Sequence, residues 1–187
     1  GGSILGTKAI HDFLKHKIKK NIIFYDNLES NIKIKNKCTN IIVSKSGNTL
    51  ETIANTNFLI NKNDKNIFIT GSENSYLRSL ALKMKAEIIN HNNFIGGRYS
   101  VLSEVGMLPA SLMGLNENKF KQLNNLIKNK NFINLLVSNV SSTLFFIKNK
   151  KFNSIILNYD NSSNNLFNWY QQLIAESLGK KGKGIQP

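Results

Sequence analysis

The stretch Ile41-Ile42-Val43-Ser44-Lys45-Ser46-Gly47-Asn48-Thr49-Leu50-Glu51-Thr52 decides the fold. Its apolar, β-branched beginning predicts a short buried strand. Beyond the turn, apolar residues recur at helical spacing on one face: Leu50, Ile53, Ala54 and Phe58. A strand that turns sharply into a helix directs several backbone N–H groups, and the positive end of the helix dipole, at one point.

The turn itself carries the groups that bind a phosphate monoester. Ser44, Ser46 and Thr49 supply hydroxyl donors, and Lys45 adds a positive charge. Together with the helix amides, these side chains predict a phosphate pocket. From this stretch alone, an ordinary N-capped helix after a strand fits equally well.

The same alternation of strand and helix continues on both sides of this unit. The pattern predicts strands at Ile22–Tyr25, Ile41–Val43, Asn66–Thr70 and Glu87–Asn90, with a helix after Gly6 and another, capped by Thr70–Glu73, through Leu77 and Met84. Alternating elements of this kind form parallel βαβ units. We therefore expect an α/β fold, a three-layer α/β/α sandwich whose mainly parallel sheet binds ligands at its carboxyl edge.

After the fourth strand the pattern changes. Residues 96–115 form a loop and a helical stretch, which we interpret as a hinge. The residues beyond predict one helix carrying Phe120, Leu123 and Ile127, a longer one over 133–147, a strand at Ser154–Asn158 and a helix at Phe167–Leu178. We expect a first domain over 1–95, a hinge with interdomain helices over 96–131, and the beginning of a second, truncated domain over 132–187.

Composition limits the class of protein. With 187 residues and 41% hydrophobic content, the chain can bury a core, and no apolar run reaches the roughly 20 residues of a membrane span. Cys38 is the single cysteine, so we expect no disulfide framework and a reducing, cytoplasmic setting. The net charge of +14 raises nucleic acid as a partner. Because the lysines are scattered among asparagines, we interpret the charge as compositional bias and expect neither a nucleic-acid nor a membrane partner.

Two further stretches carry chemistry. Gly96-Gly97-Arg98 places a guanidinium, which suits oxyanions, on a flexible support, although an ordinary salt bridge is the simpler interpretation. In the stretch from Trp169 to Ser177, Gln172 and Glu176 lie four residues apart on one helical face. Apolar neighbours there would desolvate the carboxylate and strengthen it as a base; a solvated face is the alternative. The three histidines, His11, His16 and His91, match no such motif, and we expect surface or loop positions for them.

Taken together, these stretches resemble the glucose-6-phosphate isomerase family. The resemblance covers four motifs in the family's order: Gly1-Gly2-Ser3-x-Leu5-Gly6, Ser44–Thr52, Gly96–Gly106 and Gln171–Lys180. It implies a fold of the sugar isomerase (SIS) type and a reversible aldose–ketose isomerisation of glucose 6-phosphate and fructose 6-phosphate through a cis-enediol(ate). It also implies a homodimeric full-length protein that needs no metal and no other cofactor.

Residue by residue, the resemblance assigns the following roles. Ser44, Lys45, Ser46 and Thr49 would hold the substrate phosphate, while Gly2, Ser3, Gly97 and Gln172 would line the site. Glu176 would be the base that moves the proton, and Arg98 would stabilise the developing negative charge. Asn48 departs from the family's usual residue, so we expect no phosphate contact from it.

The resemblance also limits what this chain can do alone. The family's ring-opening histidine and its C-terminal lysine lie downstream of the glutamate motif, and its first strand precedes Gly1, so we expect an inactive catalytic fragment. A SIS-type sugar-phosphate-binding module without catalysis is the alternative function. It has no need for Arg98 or for the pair Gln172 and Glu176. Whether mannose 6-phosphate is also a substrate cannot be read from these residues.

Overall fold

The computed structural model describes residues 2–28, 37–179, 184–185 and 187. Gly1 of the first motif, Lys180 of the last and residues 29–36 lie outside this set. Within it, the chain is an α/β structure built on a parallel sheet, with helices packed on both sides.

Three parallel strands form the sheet. They are β1 (Thr39–Val43), β2 (Lys65–Thr70) and β3 (Glu87–Asn90), in the order β1-β2-β3. Ile41 aligns with Ile67 on β2, and Ile69 aligns with Ile89 on β3. The apolar runs at these places thus form the predicted parallel strands, and β2, the central strand, is buried beyond its first residue. The carboxyl ends of β1 and β2 meet at one edge, where the Ser44 turn begins.

Eight helices accompany the sheet in the described residues. They are α1 (Ile4–Phe13), α2 (Leu50–Leu59), α3 (Tyr76–Met84), α4 (Glu104–Leu112), α5 (Glu117–Phe120), α6 (Leu123–Lys128), α7 (Lys130–Lys148) and α8 (Asn164–Leu178), with 3₁₀ turns at Lys15–Lys17, Gly97–Leu102 and Asn161–Ser163. The predicted cap of α3 is displaced: its N-cap is Ser75, whose hydroxyl accepts the N–H of Arg78. The helix therefore begins later than the turn at Thr70–Glu73.

Two apolar cores hold these elements together. The first lies between the sheet and α3 and includes Ile42, Phe68, Leu77 and Ala81. The second joins α1, α4 and the 3₁₀ turn Gly97–Leu102, and Trp169 of α8 packs against it. Its buried members are Ile10, Val101, Ala110, Met113 and Leu115. The second core is what brings the beginning and the end of the chain together.

A polar contact reinforces the pairing of α1 with α8. Asp12 accepts hydrogen bonds from the side chains of His11 and Asn165. Partial burial pushes the pKa of Asp12 upward, but the bonds from His11 and Asn165, with the nearby charges, outweigh it and leave the pKa below its ordinary value of 3.8. The carboxylate is therefore stabilised in its ionised form at the joint.

Two predicted strands are absent from the described residues. Ile22–Tyr25 is irregular, and its apolar side chains Ile22 and Phe24 pack against the second core rather than in a sheet. Ser154–Asn158 is also irregular, and Ile155 is 85% exposed. A strand needs a neighbouring strand to satisfy its backbone, and neither segment has one in this part of the chain.

The single helix predicted around Phe120 and Ile127 is also wrong. The structure divides it into α5 and α6, separated by Lys121 and Gln122. Phe120 packs against the second core, whereas Leu123 and Ile127 are exposed. One straight helix cannot direct these residues to two different surroundings.

Helix α7 is amphipathic but almost entirely exposed. It contains no buried residue, and its main neighbour among the described residues is α6. Its large apolar side chains include Leu135, Val137, Leu144 and Phe145, all more than half exposed. In the part of the chain that the structure describes, none of the helices combines the length and the apolarity required to cross a membrane.

Candidate functional site

The turn after β1 is the main polar feature at the carboxyl edge of the sheet. We call residues 44–49 the serine loop. The hydroxyl of Ser44 is buried, lies 2.9 Å from Thr49 Oγ1 and accepts the N–H of Gly47 at 3.1 Å. Gly47 has φ +65°, a left-handed conformation that favours glycine. The Ser44 side chain thus fixes the shape of the loop from inside.

Neighbouring elements hold the serine loop from behind. The N–H of Gly71, just after β2, donates to the carbonyl of Lys45, and the N–H of Leu77 donates to that of Gly47. Asn48 Oδ1 accepts the N–H of Tyr76 at 2.9 Å. The two bonds from α3 satisfy amides that have no partner within that helix. Asn48 therefore accepts a hydrogen bond from the first residue of α3, next to the N-cap Ser75.

The front of the serine loop faces an open cleft of about 1330 Å³. Lys45, Ser46 and Thr49 line this cleft together with Gly2 and Ser3. The Thr49 side chain makes no capping bond to α2, so the first amides of that helix have no partner within it. Amides, hydroxyls and one lysine at a helix N-terminus are suited to a phosphate group.

A second polar cluster joins the 3₁₀ turn to α8. Arg98 Nη1 lies 3.2 Å from Glu176 Oε2, and Gln172 Nε2 donates to Glu176 Oε1 at 2.8 Å. The Arg98 side chain is 22% exposed and that of Glu176 is 50% exposed. The expectation that apolar neighbours bury the carboxylate is therefore wrong. A cation and an amide hold Glu176 instead, one on each oxygen.

Three residues that the sequence motifs did not single out fix Arg98. Its Nε donates to Ser177 Oγ at 3.0 Å, and that hydroxyl also hydrogen-bonds to Tyr99. The backbone carbonyl of Arg98 accepts the indole N–H of Trp169 at 2.8 Å. Ser177 and Trp169 lie one residue and seven residues from Glu176, on the same helix. Their proximity to a catalytic candidate was the only available signal, because no spacing rule connects them to Arg98.

Close backbone contacts join the two clusters into one surface. A Cβ atom on Gly97 would lie 2.9 Å from Ser3 Oγ, and one on Gly2 would overlap the amide nitrogen of Gln172. Gly2 and Ser3 line the cleft and also contact the Arg98 cluster. Gly2 and Ser3 are therefore the residues that the cleft and the Arg98 cluster share.

Two further polar side chains, Thr70 and His91, lie buried near the carboxyl edge of the sheet. Thr70 Oγ1 is buried behind Gly47 and has no hydrogen-bond partner among the described residues. His91 follows β3 in a loop, but its side chain is buried and pairs with Glu104, so it is not a surface residue. In the described ranges, no group of three or more His, Cys, Asp and Glu side chains is arranged to hold a metal ion.

Comparisons with known proteins point to one family. The family model for phosphoglucose isomerase matches residues 1–185. The glucose-6-phosphate isomerase of Methanocaldococcus jannaschii is 32% identical over the whole of this chain, which covers 51% of that relative. That of Mycoplasmopsis pulmonis is also 32% identical over the whole chain, which covers 50% of it. The chain thus spans about half the length of the curated relatives it matches.

A solved structure shares the fold. The crystal structure of a hypothetical protein, TT0462 from Thermus thermophilus, superposes with a TM-score of 0.77 at 22% identity, over 100% of this chain and 50% of that one. At that identity the match supports the α/β fold alone. The match to the family model over 1–185 supports more: this chain belongs to the phosphoglucose isomerase family.

Proposed function

We propose that the full-length protein containing this chain interconverts glucose 6-phosphate and fructose 6-phosphate, and that this chain carries the phosphate site and the proton-transfer site. The observation that supports this most is the contact of Arg98 and Gln172 with the two oxygens of Glu176, next to a cleft that ends in the serine loop. A binding module without catalysis requires the loop but not this cluster.

The proposed binding mode follows the cleft. The phosphate sits on Ser44, Ser46, Thr49 and the amides of α2, with Lys45 as a counter-charge. The sugar then extends past Gly2 and Ser3, which line the cleft. Its carbonyl end reaches the Arg98 cluster.

The chemistry needs one base and one cation. Glu176 removes the proton from the carbon next to the carbonyl and returns it to the former carbonyl carbon, while the hydroxyl proton passes between the two neighbouring oxygens. During this step negative charge moves from the carboxylate to the enediolate oxygen. Arg98 already touches Glu176, so the same guanidinium stays close to the charge as it moves, and Gln172 keeps the carboxylate oriented. No step in this scheme calls on a metal ion or a redox group.

The test compares two glutamate variants of the full-length gene product. Glu176→Gln removes the base but keeps the size and shape of the side chain. Glu87→Gln, the same substitution at an exposed position at the start of β3, is the matched control. We expect Glu176→Gln to lower kcat by about a hundredfold or more, to leave binding of fructose 6-phosphate nearly unchanged, and to abolish deuterium incorporation from D₂O into the substrate. Turnover close to that of the control would refute the role of Glu176.

The same experiment distinguishes the isomerase from the alternative functions. A SIS-type sugar-phosphate-binding module would bind fructose 6-phosphate but incorporate no deuterium in the wild type. A nucleic-acid binder would instead show affinity that falls steeply with salt and ignores sugar phosphates. For the isolated chain we expect binding of the sugar phosphate without turnover, in a protein that acts in the cytoplasm as a homodimer when complete.

A further inference from the structure

The buried side chain of His91 pairs with the partly exposed carboxylate of Glu104, and the proposed reaction uses neither. His91 follows β3, and its backbone N–H continues the ladder by donating to Thr70 O at 3.0 Å. Its side chain is only 2% exposed, while that of Glu104, the first residue of α4, is 28% exposed. Enclosing two ionisable side chains costs free energy unless they satisfy each other.

Both ring nitrogens of His91 face acceptors. Nδ1 contacts a carboxylate oxygen of Glu104, and Nε2 lies 3.1 Å from the carbonyl oxygen of Ile95. A carbonyl oxygen only accepts, so Nε2 carries hydrogen and donates to it. The Glu104 carboxylate is the partner of the other ring nitrogen, so the two contacts occupy both polar atoms of the imidazole.

These contacts close both ends of the segment that carries Arg98. We call residues 92–103 the arginine loop. Ile95 lies just ahead of the glycine pair in this loop, and Glu104 follows its last residue. His91 therefore fixes the place where the flexible glycines begin and the place where the chain enters α4.

Between those ends the arginine loop is bonded to itself. Ser100 Oγ donates to the carbonyl of Gly97, and Ser103 Oγ donates to that of Ser100, both at 2.7 Å. Ser100 is fully buried. The second half of the loop, from Gly97 onward, is thus held together by its own hydrogen bonds. Fixing its ends fixes the direction of Arg98.

We infer that His91, paired with Glu104, is a positioning residue that holds the arginine loop against α8 so that the Arg98 guanidinium meets Glu176. The importance of Arg98 for chemistry rests on the proposed function, but the positioning itself rests on these contacts alone. Neither His91 nor Glu104 touches the cluster around Glu176. Their effect on it passes through the backbone of the loop.

The test uses Trp169, the single tryptophan of the chain, as a reporter. Its indole N–H donates to the carbonyl of Arg98, so its exchange with solvent, followed as one NMR resonance, measures how often the loop leaves α8. We expect His91→Gln and Glu104→Gln to speed this exchange by about tenfold or more, the factor that loss of one hydrogen bond gives. His16→Gln, at an exposed histidine, is the matched control and should leave it unchanged.

A second measurement tests whether displacement of the arginine loop weakens ligand binding. Inorganic phosphate probes the serine loop alone, whereas 6-phosphogluconate adds a carboxylate that reaches towards Arg98. We expect both variants to lower the affinity for 6-phosphogluconate about tenfold more than the affinity for inorganic phosphate. A general loss of structure would weaken both ligands together.

The outcomes separate the two proposals. Indole exchange within about twofold of the wild type in both variants would overturn the positioning role, whatever the change in stability. If His91→Gln does not fold, Glu104→Gln, which keeps the shape and one acceptor, gives the same decision. Because indole exchange needs no ligand, it decides the role of His91 even if the wild type binds neither anion, the result that would count against the proposed function.

Discussion

Replacing Gly47 by alanine tests whether the serine loop is built as tightly as its contacts indicate. With φ at +65°, a non-glycine residue at this position costs roughly 1–2 kcal/mol in backbone strain. An added Cβ would also overlap Ser75 Oγ and lie 2.5 Å from Ser75 Cβ and 2.8 Å from Thr70 Oγ1. Crowding of this kind costs about 1–3 kcal/mol more. We therefore expect Gly47→Ala to lower the free energy of unfolding by about 2–5 kcal/mol.

Gly114 provides a control with the same backbone conformation. Its φ is +86°, but no atom lies within 4 Å of an added Cβ. Gly114→Ala should therefore cost only the backbone part, about 1–2 kcal/mol. Both substitutions restrict the unfolded chain equally, so that effect cancels in the comparison.

Urea denaturation of the wild type, Gly47→Ala and Gly114→Ala measures the difference in the free energy of unfolding. Gly47→Ala should be less stable than Gly114→Ala by about 1–3 kcal/mol, and it alone should lose affinity for inorganic phosphate, because the clash pushes the loop away from α3. Equal stability of the two variants would refute the reasoning that packing against Ser75 and Thr70 determines the loop's shape. Unchanged phosphate affinity in a destabilised Gly47→Ala would refute its link to the binding site.

Two further substitutions address groups outside the reaction. Thr70→Val removes a buried hydroxyl that has no partner among the described residues and keeps the shape, so urea unfolding should show a gain of about 1 kcal/mol; a loss would mean that the hydroxyl is satisfied in solution. Asp12→Asn tests the joint between α1 and α8: because folding lowers the pKa of Asp12 below 3.8, its ionised form contributes stability above that value and loses it as the pH falls through the folded pKa. Stability of the wild type should therefore fall more steeply below about pH 4 than that of the variant, and parallel curves would contradict this.

The serine loop shows what the sequence could predict. A β-branched run, a hydroxyl-rich turn and helical periodicity are all local signals, and they located β1, the turn and α2 correctly. The same holds for Gln172 and Glu176, which share a face because of helical spacing alone. The resemblance assigned Arg98 and Glu176 to one site, but their direct contact was not predicted, since no local rule connects residues that are 78 positions apart.

The errors have a physical cause as well. Ile22–Tyr25 has the composition of a strand, but a strand also needs a partner strand. The apolar side chains of this segment pack against the second core instead. His91 does lie in a loop, as expected, but its burial could not be predicted, because nothing in its sequence neighbourhood signals it. Its partner Glu104 lies across the arginine loop, and only the tertiary fold brings the two together.

The pairing of α1 with α8 has a consequence for biosynthesis. Asp12 and Asn165 are 153 residues apart, so at ~5–20 residues per second α1 waits about 8–30 s after its own synthesis before α8 is available. During that time the apolar face of α1 lacks the helix that covers it, whereas β1, β2 and α3 already have their neighbours. Contacts of such high sequence separation also slow folding. We therefore expect the sheet to form first, and the Arg98 cluster to be completed only when α8 docks.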